Sequence, residues 1–385
     1  MLKQGDPESV GISRKRIDTI DARVRRWIDD GITPSIVVLV ARRGVIVMHS
    51  AYGRLGPEPD APSLGVSAIF PLASISKVIA ATAVMMLVED GLVGLNRPVQ
   101  EYIPHFVGDG KKEVMVHHLL THTSGLVDKD AVAHQERNRG KVTIPPAEPN
   151  EHPTVHELLW LKMDAPLTRK PGEQMSYSGT GYGLLTEIIR RASGLNLGEF
   201  ARKRIFAPLG MADTFYDVPK DRWDRVVRRD PAFPDQFKHP SVSNFPSGSV
   251  GGYSTAMDMA RFCQTFLDKG RLDDVRLLSP ASVREMTRGQ TPRIASLFKE
   301  DFEAESSRGY GWDVKGDKKP RFHASLDSRD AFTHQGAGGV SIMVDPAVDL
   351  VVVFFSVSKG VMAPHLYTPA WTMDLLTNMV IASID

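Results

Sequence analysis

The spacing of apolar residues near the N-terminus changes at about residue 31. After Ser13 they recur every three or four positions, which predicts an amphipathic helix that ends near Gly31. Two runs rich in β-branched residues follow, Ser35–Ala41 and Val45–Ser50, joined by a short connection that ends in glycine. This pattern is typical of a β-hairpin.

The C-terminal part carries a second pair of such runs. Val340–Val344 and Leu350–Ser356 predict another hairpin, and a last helix should run from about Pro364 to Ile381. The segments between the two hairpins have mainly helical patterns. We therefore expect an α/β (α+β) fold, in which an antiparallel sheet from both termini is flanked by helices and a mainly helical domain is inserted.

Domain bounds follow from the same pattern. Residues 1–85 and 305–385 should form the α/β domain, and residues 86–304 the mainly helical domain. The stretch 127–153 is polar and rich in proline, so we expect a long surface loop there that covers a site.

One internal helix is predicted to be apolar on every side. Residues 78–88 are apolar except for Thr82, which is typical of a helix buried in a core, and the run is too short to span a bilayer. Ser74 and Lys77 precede it with the spacing that puts two side chains on one helix face.

This pair is a candidate for nucleophilic catalysis. A serine hydroxyl needs an adjacent base, and burial disfavours the charged form of a lysine, which suits Lys77 for that role. The same spacing occurs at Ser296…Lys299 and at Ser356…Lys359, so context has to select Ser74. The alternative is that Ser74 only caps the helix while Lys77 extends to solvent.

Further segments, in order along most of the chain, give the sequence a family likeness. It resembles the serine β-lactamase-related family, which includes class C β-lactamases, low-molecular-weight penicillin-binding proteins and family VIII carboxylesterases. The segments that carry the resemblance are Pro71–Lys77, Leu119–Leu126, Pro171–Tyr182, Phe206–Met211, Gly251–Thr255, and His334–Gly339 with Asp345-Pro346.

The resemblance implies catalytic roles for three side chains. Ser74 matches the nucleophile and Lys77 its amine partner, while Tyr177 matches a tyrosine that relays a proton to the leaving group. The backbone N–H groups of Ser74 and Ala337 are then expected to form the oxyanion hole. A core position for Tyr177 is the alternative.

Substrate-binding positions follow from the resemblance too. His334, Gln335 and Gly336 match a Lys-Thr-Gly strand along which substrate lies, and Gly179 replaces an asparagine of the family's Tyr-x-Asn element. His334 would bring a weaker, titratable charge to the place where a substrate carboxylate binds. Both departures favour an esterase over a dedicated β-lactamase.

Composition restricts the remaining function classes. A formal net charge of +1 gives no general attraction to nucleic acid or to an anionic membrane. The single cysteine, Cys263, excludes an intrachain disulfide and lies in an apolar pattern, so we expect a buried residue. The first residues contain no apolar stretch typical of a signal peptide, and we expect a cytoplasmic protein.

No metal or cofactor is expected. His118 and His122 have the spacing of two ligands on one helix face, but no third ligand is evident. The glycine-rich phosphate-binding motifs are absent, as is the Gly-x-Ser-x-Gly motif of the α/β-hydrolases.

These observations favour a serine hydrolase that forms an acyl-enzyme on Ser74. The first hypothesis is a carboxylesterase of small esters with weak β-lactam hydrolysis. The second is a β-lactamase, a D-amino-acid peptidase or amidase, or an acyltransferase, and the third is a non-catalytic homologue that binds a ligand or forms an assembly. The expected partner is a small ester or amide.

Overall fold

The computed structural model describes residues 2–231, 238–241, 245–298, 301–303, 305–317, 323–357 and 368–385. The strands of this part are β1 (Lys3–Gln4), β2 (Ser35–Arg42), β3 (Val45–Gly53), β4 (Phe70–Pro71), β5 (Met175–Ser176), β6 (Tyr253–Ser254), β7 (Arg271–Leu272), β8 (Val275–Arg276), β9 (Ser296–Phe298), β10 (Asp301–Glu303), β11 (Asp313–Val314), β12 (Phe332–Gly336), β13 (Val340–Asp345) and β14 (Leu350–Ser356). The helices are α1 (Arg14–Asp29), α2 (Ser76–Glu89), α3 (Val99–Tyr102), α4 (Val116–Leu120), α5 (Asp128–Asn138), α6 (Pro153–Met163), α7 (Gly179–Ser193), α8 (Leu197–Ala201), α9 (Ala256–Leu267), α10 (Pro280–Thr287) and α11 (Thr368–Ile381).

A sheet built from both ends of the chain organises the fold. Within the described residues it has seven strands in the order β1-β3-β2-β14-β13-β12-β11. All neighbours are antiparallel except β1 and β3, and β2 pairs with β14 in the register Val38↔Phe354. The predicted hairpins and the predicted sheet from both termini are confirmed.

Helices cover both faces of this sheet. On one face α1 and α11 pack against it, with the ring of Trp27 edge-on to Phe354 at 6.5 Å. On the other face α2 and α9 join the main core. The predicted first helix is confirmed as Arg14–Asp29, whereas the predicted start of the last helix at Pro364 lies outside the described residues.

The burial of the central helix α2 explains why its sequence is apolar. All positions from Ser76 to Leu87 are buried, so polar residues are nearly absent from every side of the helix. Cys263 is fully buried in α9, and burial raises the pKa of its thiol. No helix among the described residues has the length and apolarity needed to cross a membrane.

The prediction of a long loop over residues 127–153 is correct for residues 139–152 and wrong for residues 128–138 and 153. Asp128–Asn138 form the helix α5, and Pro153 is the first residue of α6 rather than part of a loop. Helix α5 lies on the surface with only Ala131 and Gln135 buried, so its sequence lacks a strong apolar stripe. Proline is compatible with the first turn of a helix because that turn has free N–H groups.

The middle of the chain is mainly helical, yet it shares its core with the sheet. Helix α9 lies within residues 86–304 and packs against β14, β13 and β2. Residues of the sheet, of α2 and of α7 belong to one continuous apolar cluster. The division into two domains stays a prediction.

Candidate active site

Ser74 lies in a tight turn directly before α2. The turn is a 3₁₀ segment, Ala73–Ile75, and Ala73 has φ = 46°. That left-handed conformation is unfavourable for a residue with a Cβ, and such strain is found where a side chain must be presented in one position. Ser74 is half-buried while its neighbours Ala73 and Ile75 are fully buried. The turn therefore exposes the hydroxyl-bearing residue alone.

Hydrogen bonds to the segment around Gly252 fix this turn. The N–H of Leu72 donates to the carbonyl of Gly252 at 2.8 Å, and the N–H of Gly252 donates to Oγ of Ser76 at 2.9 Å. Gly252, which is distant in the sequence, thus holds the nucleophile turn on both sides, through Leu72 before it and through Ser76 after it.

Lys77 reaches the hydroxyl from the first turn of α2. Its side chain is buried, with 2 % exposure, and Nζ lies 3.4 Å from Oγ of Ser74 and 2.9 Å from the carbonyl oxygen of Ser249. The amine is therefore held between the hydroxyl and a neutral backbone acceptor. This is the juxtaposition that the Ser-x-x-Lys spacing predicts.

Tyr177 lies beside the same amine. It sits between β5 and the N-terminus of α7, and Nζ of Lys77 is 4.8 Å from the centre of its ring. The imidazole of His122 stacks on the ring with the centroids 4.4 Å apart. The structure thus brings together the three side chains expected to be catalytic, Ser74, Lys77 and Tyr177.

His122 is the closest support of Tyr177. Its carbonyl oxygen accepts from the N–H of Ser176 at 2.8 Å, and its Nδ1 accepts from the N–H of Ser178 at 3.0 Å. Burial lowers the pKa of His122 well below its usual value, and the positive charges of Arg308 and Lys77 lower it further. The imidazole is therefore neutral and can accept at Nδ1.

The histidine pair considered as a metal site is separated in the structure. Helix α4 ends at Leu120, so His122 is not on the helix of His118. Nδ1 of His118 accepts from the N–H of Met115 at 3.1 Å. Each imidazole has its own backbone partner, and in the described part of the chain no group of three potential ligands is positioned to hold a metal ion.

Asp128 fixes the start of α7, a role that the sequence did not indicate. Its Oδ2 accepts from the N–H of Gly179 at 2.6 Å, and its Oδ1 accepts from Ser178 Oγ and from the N–H and Oγ of Thr180 at 2.8–3.0 Å. A carboxylate at a helix N-terminus is stabilised by the free N–H groups there. Asp128 therefore anchors the residues that follow Tyr177.

Because Gly179 has no side chain, a space remains next to the carboxylate of Asp128. A Cβ at Gly179 would lie 3.3 Å from Oδ2 of Asp128 and 3.8 Å from Cβ of Ser249. A larger side chain at this position would have to pass between the two. Gly179 supplies no side-chain amide, and the nearby carboxylate of Asp128 is occupied by the residues at the start of α7.

The environment of His334 disfavours the titratable charge that the sequence leads us to expect there. The residue is buried in β12, and Nδ1 lies 2.8 Å from the carbonyl oxygen of Gln335. Burial, followed by the charges of Arg308 and Lys77, lowers the pKa of His334 to about 3. A titratable position does not deliver a charge where desolvation is this strong.

The strand around Gly336 lies directly against the nucleophile turn. A Cβ at Gly336 would come within 2.2 Å of the carbonyl oxygen of Leu72 and 3.2 Å of Cβ of Ala73. The carbonyl of the next residue, Ala337, accepts from Nη1 of the buried Arg229 at 3.0 Å. Glycine is therefore required for this strand to approach the turn.

Gln335 faces a different element from its two neighbours on the strand. Its side-chain amide donates to Sδ of Met373 in α11 at 3.4 Å. Successive side chains of a strand point to opposite faces of the sheet, so His334 and Gly336 share the face of the nucleophile turn. The amide of Gln335 is engaged on the α11 side of the sheet.

Arg308 is a second cation at the site that sequence reasoning missed. Its Cζ lies 5.5 Å from the centre of the Tyr177 ring, and its side chain is 10 % exposed. Arg308 belongs to the irregular segment before β11, where neither periodicity nor a motif marks it. Only the fold brings it to Tyr177.

The chain matches the family model described as Beta-lactamase over residues 20–373. Among curated relatives, an uncharacterized protein of Mycobacterium tuberculosis is 26 % identical over 373 residues, which cover 88 % of this chain and 89 % of that protein. The "Putative D-alanyl-D-alanine carboxypeptidase" of Salmonella typhimurium is 25 % identical and covers 92 % of this chain and 85 % of that protein.

Solved structures share the fold at lower identity. The penicillin-binding protein homologue from Pyrococcus abyssi has a TM-score of 0.71 at 22 % identity, covering 96 % of this chain and 79 % of that one. EstCE1, a hydrolase with promiscuous acyltransferase activity, has a TM-score of 0.73 at 21 % identity, covering 96 % and 97 %. Both matches are evidence of the fold alone.

Proposed function

Since the chain belongs to the β-lactamase family and is a serine hydrolase, we propose that it hydrolyses small carboxylic esters through an acyl-enzyme on Ser74. The observation that carries the proposal is the position of Lys77, whose amine lies 3.4 Å from Oγ of Ser74 and 4.8 Å from the centre of the Tyr177 ring. A hydroxyl next to an amine, with a tyrosine ring beside that amine, provides a nucleophile and two groups of the kind that exchange its proton.

In the first half-reaction, Oγ of Ser74 attacks the ester carbonyl carbon. Its proton passes to Lys77 or Tyr177, and the carbonyl π electrons move to the oxygen, which the N–H groups of Ser74 and Ala337 stabilise. The C–O bond to the alcohol then breaks, and the same proton goes to the departing oxygen through Tyr177.

In the second half-reaction, water attacks the acyl carbon. The water gives its proton to the same pair of groups, the bond to Oγ of Ser74 breaks, and Oγ takes a proton back. The products are one carboxylic acid and one alcohol, and the enzyme returns to its starting state.

A neutral substrate suits the charges of the substrate-binding strand. His334, with a pKa of about 3, offers no cation to a substrate carboxylate, and Gly179 offers no side-chain amide to an acylamino group. Both features weaken recognition of a β-lactam more than recognition of a simple ester, which supports the esterase over the β-lactamase.

The test compares p-nitrophenyl butyrate hydrolysis by the wild type and by Ser74→Ala, with Ser67→Ala as the matched control because Ser67 is an exposed serine seven positions upstream. We expect turnover in the wild type and the control and a loss of at least about 10³-fold in Ser74→Ala. Intact-protein mass spectrometry should detect the butyryl adduct on the wild type and on Ser67→Ala, but not on Ser74→Ala. Equal activity in all three proteins contradicts the proposal.

A second candidate, hydrolysis of a D-amino-acid peptide or amide, takes its support from the name of the Salmonella relative, which matches most of this chain. A panel of p-nitrophenyl butyrate, nitrocefin, D-alanine amide and a D-alanyl-D-alanine peptide separates the candidates by kcat/KM. The highest value for an amide or peptide would favour the second candidate over the esterase.

A further inference from the structure

Arg308 and Lys77 are both close to the ring of Tyr177. Cζ of Arg308 is 5.5 Å from the ring centre and Nζ of Lys77 is 4.8 Å away. Lys77 also contacts Ser74 and so belongs to the proton-transfer machinery. Among the contacts of the described residues, none joins Arg308 to Ser74, whereas the ring of Tyr177 lies next to its guanidinium.

Arg308 is the first member of a buried row of alternating charges. Its Nη1 lies 3.3 Å from Oδ2 of Asp313, whose Oδ1 lies 3.8 Å from Nε2 of His323. Nδ1 of His323 lies 2.9 Å from Asp327, which also binds the amine of Lys315. Asp313 therefore lies between Arg308 and His323, and Asp327 lies between His323 and Lys315.

The protonation state of His323 determines how strongly Asp313 offsets the positive charge of Arg308. Burial alone would lower the pKa of His323, but the carboxylate of Asp313, 3.8 Å from Nε2, and that of Asp327, hydrogen-bonded to Nδ1, raise it. A protonated His323 shares the charge of Asp313, so Asp313 cancels less of the Arg308 charge. Arg308 lowers the pKa of both His122 and His334, and its effect on His334 is larger than the opposite effect of Asp313.

We propose that Arg308 is a positioning residue that supplies the fixed positive charge beside the ring of Tyr177, while Asp313 holds its guanidinium in place and His323 in turn lies beside Asp313. The inference rests on the proposed function and deepens it. A guanidinium keeps its charge at every working pH, whereas the buried His334 does not. The site therefore has its permanent cation outside the substrate-binding strand.

The burial of Arg308 and its pairing with Asp313 indicate that the guanidinium does not itself bind the substrate. The guanidinium is bonded to Asp313, and the backbone N–H of Arg308 donates to Oγ1 of Thr291 at 3.1 Å. A cation that is fixed in this way acts through space on the adjacent ring. It needs no contact with the ester.

The decisive experiment measures how fast a fluorophosphonate probe labels Ser74 as a function of pH. Among the described residues, the titratable or charged groups that face Tyr177 are Lys77 from α2, His122 from the turn after α4, Tyr182 from α7 and Arg308. Asp313 and His334 lie next to Arg308 and interact with its charge. Removing a cation makes a nearby base hold its proton more tightly, so labelling should require a higher pH.

We expect Arg308→Gln to move the acid limb of this profile upward by about one pH unit, the lower end of the effect of a charge within ~6 Å. Labelling near the acid limb then falls about tenfold. Arg308→Lys keeps the charge and should leave the limb close to that of the wild type. A merely structural role predicts a uniform loss in both variants with no shift.

Asp313 loses its partner in Arg308→Gln, and this variant can fail to fold. Arg308→Gln with Asp313→Asn removes both charges at once and should still shift the limb upward, by less than the single variant. Adding His334→Lys to that pair returns a cation to the site and should move the limb back down. An unchanged limb in the double variant, or an equal shift in Arg308→Lys, overturns the inference.

The two proposals fail in different ways. If wild-type Ser74 is labelled with the expected shift among variants but no ester is turned over, the esterase proposal falls and the role of Arg308 stands. If esters are turned over and the limb does not move, only the role of Arg308 falls. If Ser74 is not labelled at any pH, both are wrong.

Discussion

His122 hydrogen-bonds the chain on both sides of Tyr177 and stacks on its ring. The carbonyl oxygen of His122 accepts a hydrogen bond from the N–H of Ser176, and its Nδ1 accepts one from the N–H of Ser178. The centroids of the His122 and Tyr177 rings are 4.4 Å apart. His122 itself has φ = 60°. The position of the phenol is thus set by one neutral histidine in a constrained backbone conformation.

Replacing this histidine should cost both stability and activity. His122→Phe keeps a ring but removes the acceptor, which leaves the buried N–H of Ser178 without a partner and costs about 1–3 kcal/mol. We expect kcat to fall while KM changes little. Urea unfolding and steady-state kinetics measure the two effects, with the exposed His105→Phe as the control. An unchanged unfolding midpoint contradicts this account of His122.

Replacing Asp128 should reduce the rate of ester hydrolysis by an amount that depends on the leaving group of the ester. Asp128→Asn places an amide donor against N–H groups, which loosens the start of α7 and hence Tyr177. Ethyl esters need their leaving oxygen protonated and p-nitrophenyl esters do not, so we expect at least about tenfold greater loss on the former.

Asp130→Asn is the matched control for this comparison because Asp130 lies in the same helical turn. It should leave the ratio of the two kcat/KM values unchanged. A loss in Asp128→Asn that is equal for both esters would mean that Asp128 does not act through Tyr177.

The approach of β12 to the nucleophile turn should be intolerant of a single methyl group. In Gly336→Ala the new Cβ meets the backbone carbonyl of Leu72, which cannot move without disturbing Ser74. We expect a destabilisation of about 1–3 kcal/mol and loss of most esterase activity. Thermal unfolding and turnover of Gly289→Ala, where no atom lies within 4 Å, provide the comparison. Full activity in Gly336→Ala would refute the close approach.

His334 should contribute to acid sensitivity. Its pKa is about 3 in the folded protein and near 6.5 in an unfolded chain, so below pH 6.5 the unfolded state binds the proton more readily. The contribution of His334 to the free energy of unfolding is fully present above pH 6.5 and is lost as the pH falls toward 3.

We therefore expect His334→Gln to lose less stability than the wild type between pH 7 and pH 4, by on the order of 3 kcal/mol. Urea unfolding at both pH values measures the difference. Identical acid losses in the two proteins would show that His334 is protonated in the fold.

The sheet and its core helix could be predicted because they leave local patterns. Ser35–Arg42 and Leu350–Ser356 are buried along their whole length, which gives continuous β-branched runs. The spacing of Ser74 and Lys77 predicted their contact because one helical turn connects them. Local geometry was sufficient in these cases.

The rest of the site depends on burial and on distant contacts. His334 has the expected place on its strand, but its charge state is decided by desolvation, which no residue type reveals. Asp128 and Arg308 reach Tyr177 from segments far away in the chain, one in a helix without a strong apolar stripe and one in an irregular stretch. No periodicity or motif marks such residues.

The pairing of β2 with β14 has a consequence for the nascent protein. The nucleophile turn follows the first hairpin, whereas β12, the strand that lies against this turn, is synthesised much later and is joined to β2 through β13 and β14. A partly synthesised chain therefore carries its serine without the wall that completes the catalytic centre. Reactivity is acquired only once β12, β13 and β14 have been synthesised and have joined β2 in the sheet.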